Sequence, residues 1–268
     1  MSDLKTNNQK NNVNKKRKIN PIQLFRHVIQ IIAYITFPGL FVDTFRSMGL
    51  LVSTIIAGNW TMADNGLQTL LIVGLLIITA LFGRFFCGFI CSFGAMQDFL
   101  SFIGRKLRIK RVRVPHKVDK ILKHAKYVIL AVIAFFVWGG GIALFDSSYS
   151  PWQVMESFMS SGNPEFSVFA SVGGILMGII MVGSLFIDRF FCRYFCPLGA
   201  IFAITSRLRI FKIKKPTAKC GNCKACSNAC PMNVNMKVYE AVNSGECIDC
   251  MRCKGTCPSK NISFGIDK

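Results

Sequence analysis

The stretch at residues 220–231 reads CGNCKACSNACP, and a second copy at residues 247–258 reads CIDCMRCKGTCP. In each copy three cysteines are spaced by two residues, and a fourth stands directly before a proline. The first three thiolates suit three corners of one cubane iron–sulfur cluster, and in the known two-cluster pattern the fourth binds the other cluster. The two runs therefore predict two [4Fe–4S] clusters that share their ligands crosswise.

This crosswise pairing assigns all the cysteines of the two runs. Zinc usually binds paired Cys-x-x-Cys motifs, and a disulfide framework needs an oxidising compartment, so both alternatives are weak. Residues 216–268 are predicted to form a small α+β domain of the bacterial ferredoxin kind, whose clusters supply much of its folding energy. One cluster takes Cys220, Cys223, Cys226 and Cys257, and the other takes Cys230, Cys247, Cys250 and Cys253.

An internal repeat precedes this domain. The sequence GRFFCGFICSFGA at residues 83–95 matches DRFFCRYFCPLGA at residues 188–200. Each copy follows two apolar segments and leads into a basic stretch. The repeat predicts two helix hairpins in the same orientation, 21–110 and 118–215, within one domain at residues 21–215.

The composition is typical of a membrane protein, because 51% of the residues are hydrophobic and only 17% are charged. Four apolar segments are long enough to cross a bilayer, and a further run at residues 48–57 is too short and is interpreted as interfacial or re-entrant. The expected fold is thus an α-helical membrane protein with four transmembrane helices, followed by the ferredoxin-like domain. The predicted spans are residues 22–42, 66–82, 127–145 and 168–187.

The net charge of +20 is concentrated beside the apolar segments. The first 20 residues, the loop at 105–126 and the stretch after the fourth span are rich in lysine and arginine, whereas the other two loops hold only Arg46. This asymmetry places both termini on the cytoplasmic side of the plasma (inner) membrane. Residues 1–20 have no apolar core for a signal peptide and are predicted to be a disordered cytoplasmic tail. The basic charge therefore indicates lipid as a partner, and nucleic acid is not expected.

Two further cysteine pairs, Cys87 with Cys91 and Cys192 with Cys196, lie in the repeated motif. A spacing of four residues places both thiols on one face of a helix. The repeat could then bring all four thiols together near its pseudo-two-fold axis. Three interpretations remain open: a further metal or iron–sulfur centre, a redox-active dithiol, or buried cysteines that only fill space.

Arginines and histidines near the same face are the remaining candidates. Arg84 and Arg189 occupy equivalent positions beside the cysteine pairs and could contact an anionic cofactor or a quinone oxygen. His27 and His124 could accept a proton from a quinol. The alternative is that the arginines are interface anchors and that the histidines lie at the membrane surface without a special role.

The combination of the doubled FFCxxxC motif, Pro197–Leu198–Gly199 and a two-cluster tail resembles the NapH/NosR family of membrane polyferredoxins, with YccM-like and CcoG-type relatives. By this resemblance the four paired cysteines match the Cys-x-x-x-Cys-Pro motifs of the family, although Ser92 replaces the first proline. The resemblance implies a quinol dehydrogenase subunit that passes electrons to a partner redox protein. Some relatives carry a flavin domain outside the membrane; this chain has only short outer loops, so any flavin would belong to a partner subunit.

Three functions remain in competition. The first is a membrane-bound iron–sulfur protein that relays electrons between the quinone pool and a partner redox protein, as a subunit of an oxidoreductase complex. The second is a conduit that touches no quinone and connects a cytoplasmic donor with an extracytoplasmic flavin or other acceptor. The third is a copper reductase or metal assembly factor, as the CcoG resemblance implies. The basic surface suits either acidic redox partners or anionic lipid.

Overall fold

The computed structural model describes residues 21–37, 39–57, 66–112, 114–139, 154, 171–215, 220, 223–236 and 239–266. The helix Ala125–Ile133 continues as a π-helical segment, Ala134–Gly139, and the helix Pro197–Thr205 continues as a short 3₁₀ turn, Ser206–Leu208. The helices are α1 Pro21–Thr36, α2 Leu40–Ala57, α3 Gly66–Phe82, α4 Phe85–Phe89, α5 Ser92–Lys106, α6 His116–Leu122, α7 Ala125–Ile133, α8 Val172–Phe186, α9 Phe190–Tyr194, α10 Pro197–Thr205, α11 Ala225–Ala229 and α12 Arg252–Thr256; the strands are β1 Phe211–Lys214 and β2 Ser263–Ile266.

Helix α3 has the bounds predicted for the second span. The prediction of one helix for the first span is wrong, because α1 ends at Thr36 and α2 begins at Leu40. The run at 48–57, which the sequence suggests is interfacial or re-entrant, is the second half of α2. In the sequence, Pro38 separates the two helices, and proline in general lacks a backbone donor and disfavours a helical conformation at the residue before it. The third and fourth predicted spans correspond to α7 with its π-helical continuation and to α8, and their outer ends lie outside the described residues.

None of the described helices, taken singly, has both the length and the apolar composition to cross a bilayer. The helical pieces Pro21–Thr36 and Phe41–Gly49 reach the required length and composition only when they are counted together, and they are bent by 72° relative to each other. The four-span architecture therefore stays a prediction.

The two repeats pack crosswise. Helix α5, which follows the first cysteine pair, packs on α8 of the second repeat, and α10, which follows the second pair, packs on α3 of the first. The hydrogen bonds follow the same symmetry, because Leu81 O accepts from Ile210 N at 3.1 Å and Phe186 O accepts from Val112 N at 3.2 Å. The repeat is thus a symmetric structural unit in which each half supports the other.

Aromatic side chains fill the centre between the repeats. Phe93 and Phe191 pack edge to face with their ring centroids 5.0 Å apart, and Phe86 and Phe202 do so at 5.7 Å. Each pair joins one residue of the first repeat to one of the second. Edge-to-face contacts of this kind stabilise a core beyond the area that they bury.

The C-terminal domain is built on a two-stranded antiparallel sheet. Strand β1 pairs with β2 so that Phe211 faces Ile266 and Lys214 faces Ser263. Short helices α11 and α12 pack against each other. Strand β1 belongs to this sheet although it precedes the predicted domain boundary at residue 216.

The helices of both repeats depart from the polarity of a soluble protein in two respects, although they also enclose an apolar core. Large apolar side chains point outward from the helices of both repeats, for example Ile35 (69% exposed), Leu70 (68%), Val128 (62%) and Ile179 (55%). Meanwhile Arg26, Arg84, Lys126 and Arg189 are fully buried. Contiguous apolar surface of this kind marks a face that meets lipid or another protein.

Candidate iron–sulfur sites

The first site, here called the outer site, lies in the C-terminal domain. A single cavity is lined by Cys220, Cys223, Cys226 and Cys257, together with Lys215, Ile262 and a few neighbours. These are the four cysteines that the crosswise pairing assigned to one cluster. Cys223 is exposed, whereas Cys226 lies on α11 and is buried. The outer site therefore reaches the protein surface.

The second site, here called the inner site, brings together Cys230, Cys247, Cys250 and Cys253. Cys230 interacts electrostatically with Cys250, and Cys253 interacts with both. Cys247 interacts with Cys230, and Val234 N donates to Cys230 Sγ at 3.4 Å. Burial raises the pKa of the Cys230 thiol to about 11, so binding of iron must release its proton.

The inner and outer sites adjoin each other. Cys226 on α11 interacts with Cys253 on α12, and these helices are packed together. The outer site takes Cys257 from the run 247–258, which supplies three cysteines of the inner site. The inner site takes Cys230 from the run 220–231, which supplies three cysteines of the outer site. The two sites are consequently held in one rigid unit.

The third site, here called the paired-cysteine site, contains Cys87, Cys91, Cys192 and Cys196, all buried. The expectation that each pair lies on one face of one helix is wrong. Cys87 lies inside α4 and Cys91 is the N-cap of α5; Cys192 and Cys196 have the same relation to α9 and α10. An N-cap residue has a non-helical backbone, so the chain turns between the two thiols of each pair.

The four thiols nevertheless converge across the repeats. Cys192 interacts electrostatically with both Cys87 and Cys91, and Cys196 interacts with Cys87. Within the second pair, a hydrogen bond from Cys196 lowers the pKa of Cys192 to about 7. The two pairs therefore interact with each other across the repeats.

Backbone and amide donors point at these sulfur atoms. Gly199 N donates to Cys196 Sγ at 3.2 Å, and the backbone of Gly94 makes the equivalent bond to Cys91. Gln97 Nε2 donates to Cys192 Sγ at 3.2 Å. Such donors stabilise thiolates and tune the potential of iron–sulfur centres.

Each of the two repeated arginines reaches from its own repeat to a glycine of the other repeat. Arg84, from the first repeat, lies against Gly199 of the second and hydrogen-bonds the Cys87 sulfur. Arg189, from the second repeat, lies against Gly94 of the first, and its Nη1 donates to Cys87 O at 2.5 Å. Both arginines are fully buried, so the interpretation as interface anchors is wrong.

Two carboxylates that the sequence analysis missed neutralise these arginines. Asp98, on α5, accepts from Arg189 at 2.6 and 3.2 Å and also pairs with Arg26 of α1. Burial alone would raise the pKa of Asp98, but Arg189 and Arg26 hold it well below its usual value. Asp98 is therefore an ionised carboxylate at the centre of a buried network.

Glu246, from the C-terminal domain, has the corresponding role on the other side. It accepts from Lys126 of α7 at 2.5 and 2.6 Å and lies 3.4 Å from Arg84 Nη1. Burial lowers the pKa of Lys126 to about 8. The signal for both acids was present in the sequence: Asp98 is the one acidic residue of α5, and Glu246 directly precedes a cysteine ligand.

The two candidate histidines make local contacts. His27 Nδ1 lies 3.0 Å from Gln30 Oε1 within α1, and His124 Nδ1 lies 2.7 Å from Lys120 O. Gln30 itself belongs to the Asp98 network through a 3.1 Å hydrogen bond. His27 is thus one residue removed from the buried charges, and His124 lies at the surface near Lys120.

The inner site is seated directly on the paired-cysteine site. Gly88, between Cys87 and Phe89, packs so closely on the carbonyl of Ile248 that a side chain would overlap it. Gln23 Nε2 donates to Cys250 O at 2.7 Å, and Arg252 lies 3.6 Å from Asp98. Gly245 approaches Ala203 O in the same way. The three cysteine sites therefore form a continuous series: paired, inner, outer.

We expect Gly88→Ala to disturb this seat. The added methyl group would overlap the Ile248 carbonyl and push the 247–250 loop away, and overpacking of this kind costs about 1–3 kcal/mol. The melting temperature of the purified protein, followed with the visible absorption of the inner site, measures the effect. Gly74→Ala is the matched control, because nothing lies within 4 Å of its added Cβ. Equal melting of both variants would mean that the contact is not close.

The residues fit iron–sulfur clusters at all three sites. Each offers four soft thiol donors, and the outer site is a cavity lined by its four cysteines. At the paired-cysteine site, Arg84 Nε is buried without a hydrogen-bond partner among the described residues, and a bound anionic cluster would supply an acceptor. Across the described ranges, no three His, Cys, Asp or Glu side chains are grouped as a single metal ion requires.

A family profile described as a 4Fe-4S binding domain matches the chain twice, at residues 69–110 and 169–216. The first match contains Cys87 and Cys91, and the second contains Cys192 and Cys196. The profile thus fits both halves of the repeat, while the eight cysteines of the inner and outer sites lie outside it. Fold and sites together define an iron–sulfur protein.

Curated relatives point to one family. The chain is 30% identical over 240 residues to Protein NirI of Paracoccus denitrificans, covering 86% of the chain and 32% of NirI. It is 30% identical over 212 residues to the putative electron transport protein YccM of Escherichia coli, with coverages of 74% and 56%. It is 27% identical over 210 residues to the ferredoxin-type protein NapH of Haemophilus influenzae, with coverages of 74% and 69%.

The chain is similar to the NapH/NosR-like ferredoxin-type proteins, and the resemblance seen in the sequence is confirmed. It spans about a third of NirI and just over half of YccM. No solved structure matches the chain.

Proposed function

We propose that the protein is a membrane-bound electron-transfer protein that relays electrons between the quinone pool and a partner redox protein. The observation that carries this proposal is the continuous series of three cysteine sites, which runs from the centre of the helical unit to the surface of the C-terminal domain. Iron–sulfur clusters at these sites would supply one-electron carriers. The relatives named as electron transport and ferredoxin-type proteins support the same reading.

Residues around the cysteine sites balance the charge of the thiolates and hold the sulfur atoms in position. Arg84 and Arg189 place positive charge beside the buried thiolates, and Asp98 and Glu246 limit that charge so that the site is not strongly cationic. The N–H groups of Gly94, Gly199 and Gln97 hold the sulfur atoms in place. The Gly88 contact fixes the distance between the paired-cysteine and inner sites.

Membrane attachment is supported by the polarity of the helical unit. Apolar side chains cover the outside of α1, α3, α7 and α8, while the charged groups face inward. In water this surface would favour aggregation, whereas lipid tails would solvate it. The basic loop at 105–126 then suits the cytoplasmic face, where the C-terminal domain and its partner would lie.

An apolar groove supports the quinone part of the proposal. It is lined by Ile175, Gly178, Ile179, Val182, Gly183 and Phe190. Phe190 is two residues before Cys192, so a molecule in this groove would lie close to the paired-cysteine site. Apolar walls suit the isoprenoid tail of a quinone.

We expect Gly178→Phe to block electron entry from quinol. Nothing lies within 4 Å of a Cβ added at Gly178, so the ring can occupy the groove without unfolding the helix. Reduction of the bound clusters by a short-chain quinol should slow by roughly tenfold or more, which corresponds to about 1.4 kcal/mol of lost binding. The rate is followed by stopped-flow absorption on anaerobic protein in nanodiscs.

Gly74→Phe is the control, since its Cβ position is equally open. Dithionite should reduce both variants and the wild type alike. If quinol reduces the Gly178→Phe variant as fast as the wild type, the groove is not the quinone site. If quinol fails to reduce even the wild type, the quinone relay is wrong and the second function, a quinone-independent conduit, takes its place.

A further inference from the structure

The outer site has an exposed corner. Cys223 is solvent-exposed, and Cys220 and Cys257 are partly exposed. The contacts between the C-terminal domain and the helical unit come from elsewhere: Ile248 meets Gly88, Gly245 meets Ala203, and Met232 O accepts from Lys123 Nζ at 2.9 Å. Among the residues that the structure describes, these contacts leave the exposed corner accessible to a second protein.

Exposed lysines lie close in the sequence to the cysteines of this corner. Lys224 follows Cys223, and Lys254 and Lys260 each lie three residues from Cys257, one on either side; all three are exposed. Of the described acidic residues between 223 and 260, Glu240 is exposed, whereas Asp249 is buried and Glu246 pairs with Lys126. We call the three lysines the lysine rim.

We propose that the lysine rim docks a small acidic one-electron carrier, such as a protein of the ferredoxin class, over the Cys223 corner of the outer site. This inference rests on the proposed function and names its partner. Complementary charge steers encounter and orients a carrier, and a transient redox complex needs only a small contact area. One electron passes between the outer site and the carrier, and no atom is transferred.

The test uses the full-length, cluster-loaded protein in nanodiscs of neutral lipid, with a purified acidic [2Fe–2S] ferredoxin as the probe. The rim variant is Lys224→Glu, Lys254→Glu and Lys260→Glu together. The control variant carries Lys106→Glu, Lys110→Glu and Lys117→Glu, which makes the same change in net charge at three other exposed lysines. Affinity is measured by biolayer interferometry, and electron exchange by stopped-flow absorption, at low and high salt.

At low salt we expect the rim variant to lose about tenfold or more in affinity and in exchange rate, and the control variant to change by less than about threefold. High salt should weaken the wild type toward the rim variant. Equal losses in both variants would show that net charge alone acts, and an unchanged rim variant would place docking elsewhere; either result overturns the proposal. The proposal would also be overturned if the rim variant kept its affinity for the ferredoxin and lost only its binding to vesicles that contain anionic lipid. The lysine rim would then be a lipid contact.

The two proposals fail in different ways. If the ferredoxin binds through the rim and no electron passes in either direction, the proposed function is wrong while the docking surface stands. If electrons pass equally well to the wild type and the rim variant, the docking surface is wrong while the proposed function stands.

Discussion

Replacing Cys87, Cys91, Cys192 and Cys196 together by serine is expected to remove about four of roughly twelve irons per chain, together with one EPR signal. The reason is geometric: the four buried thiols converge from both repeats, and Arg84 and Arg189 supply positive charge beside them. Serine keeps the shape of the side chain and removes the soft donor, so the surrounding helices should persist. Iron and acid-labile sulfide are measured on anaerobically purified protein.

A second variant makes this result interpretable. Serine at Cys220, Cys223, Cys226 and Cys257 should remove a similar amount of iron from the outer site and leave the signal of the paired-cysteine site in place. If the paired-cysteine variant keeps all of its iron, that site holds no cluster. A change confined to thiol titration would then favour a redox dithiol, and a loss of copper binding would favour the metal-reductase function.

Replacing Asp98 by alanine should have the largest effect on stability of any single charged residue described. Asp98 is buried and compensates Arg26 and Arg189, which are both fully buried and would be left without a carboxylate. Breaking a buried ion pair on one side costs about 3–5 kcal/mol. For a chain of this size the melting temperature should fall by roughly 10 °C.

The matched control is Asp188→Ala, because Asp188 also pairs with two arginines, Arg105 and Arg111, but at a partly exposed site. That change should cost less than about 1 kcal/mol. Melting of the Asp98 variant at the same temperature as the Asp188 variant would contradict the buried network.

The pH dependence has a definite sign. The pKa of Asp98 is held below its value in the unfolded chain, so the stability that it provides is present at neutral pH and is lost as the pH falls below about 4. The difference in stability between wild type and the Asp98→Ala variant should therefore shrink in acid. The measurement is chemical unfolding in detergent at several pH values.

Much of this arrangement could be predicted from cysteine spacing and from the repeat. Metal ligands at fixed spacing are local information, so the grouping of Cys220, Cys223, Cys226 and Cys257 could be anticipated from the chain alone. The bounds of α3 were equally accessible, because its 17 residues form an apolar run that contains no charged residue and no proline.

The errors arose where tertiary context decides. The spacing of Cys87 and Cys91 fits one helix, but α4 ends at Phe89 and Cys91 is the N-cap of the next helix, α5. Arg84 and Arg189 stand beside apolar helices, where arginine is usually an anchor, and only the fold shows that Asp98 and Glu246 meet them inside. Glu246 lies far away along the chain from its partners, so no local pattern could pair them.

Arg84 and Arg189 each reach into the other repeat, so the two halves of the site depend on each other. One repeat alone would carry two thiols and one arginine that reaches out of its own half, and would be incomplete as a site. The sequence repeat at 83–95 and 188–200 is thus matched by a repeat in the structure, and the site is complete only because one chain carries both halves.

The two halves are nevertheless not identical. Pro197 in one half corresponds to Ser92 in the other, and the carboxylate facing the arginine is Asp98 on one side and Glu246 on the other. Glu246 comes from the C-terminal domain, so the half of the site that contains Arg84 is linked to that domain by this ion pair.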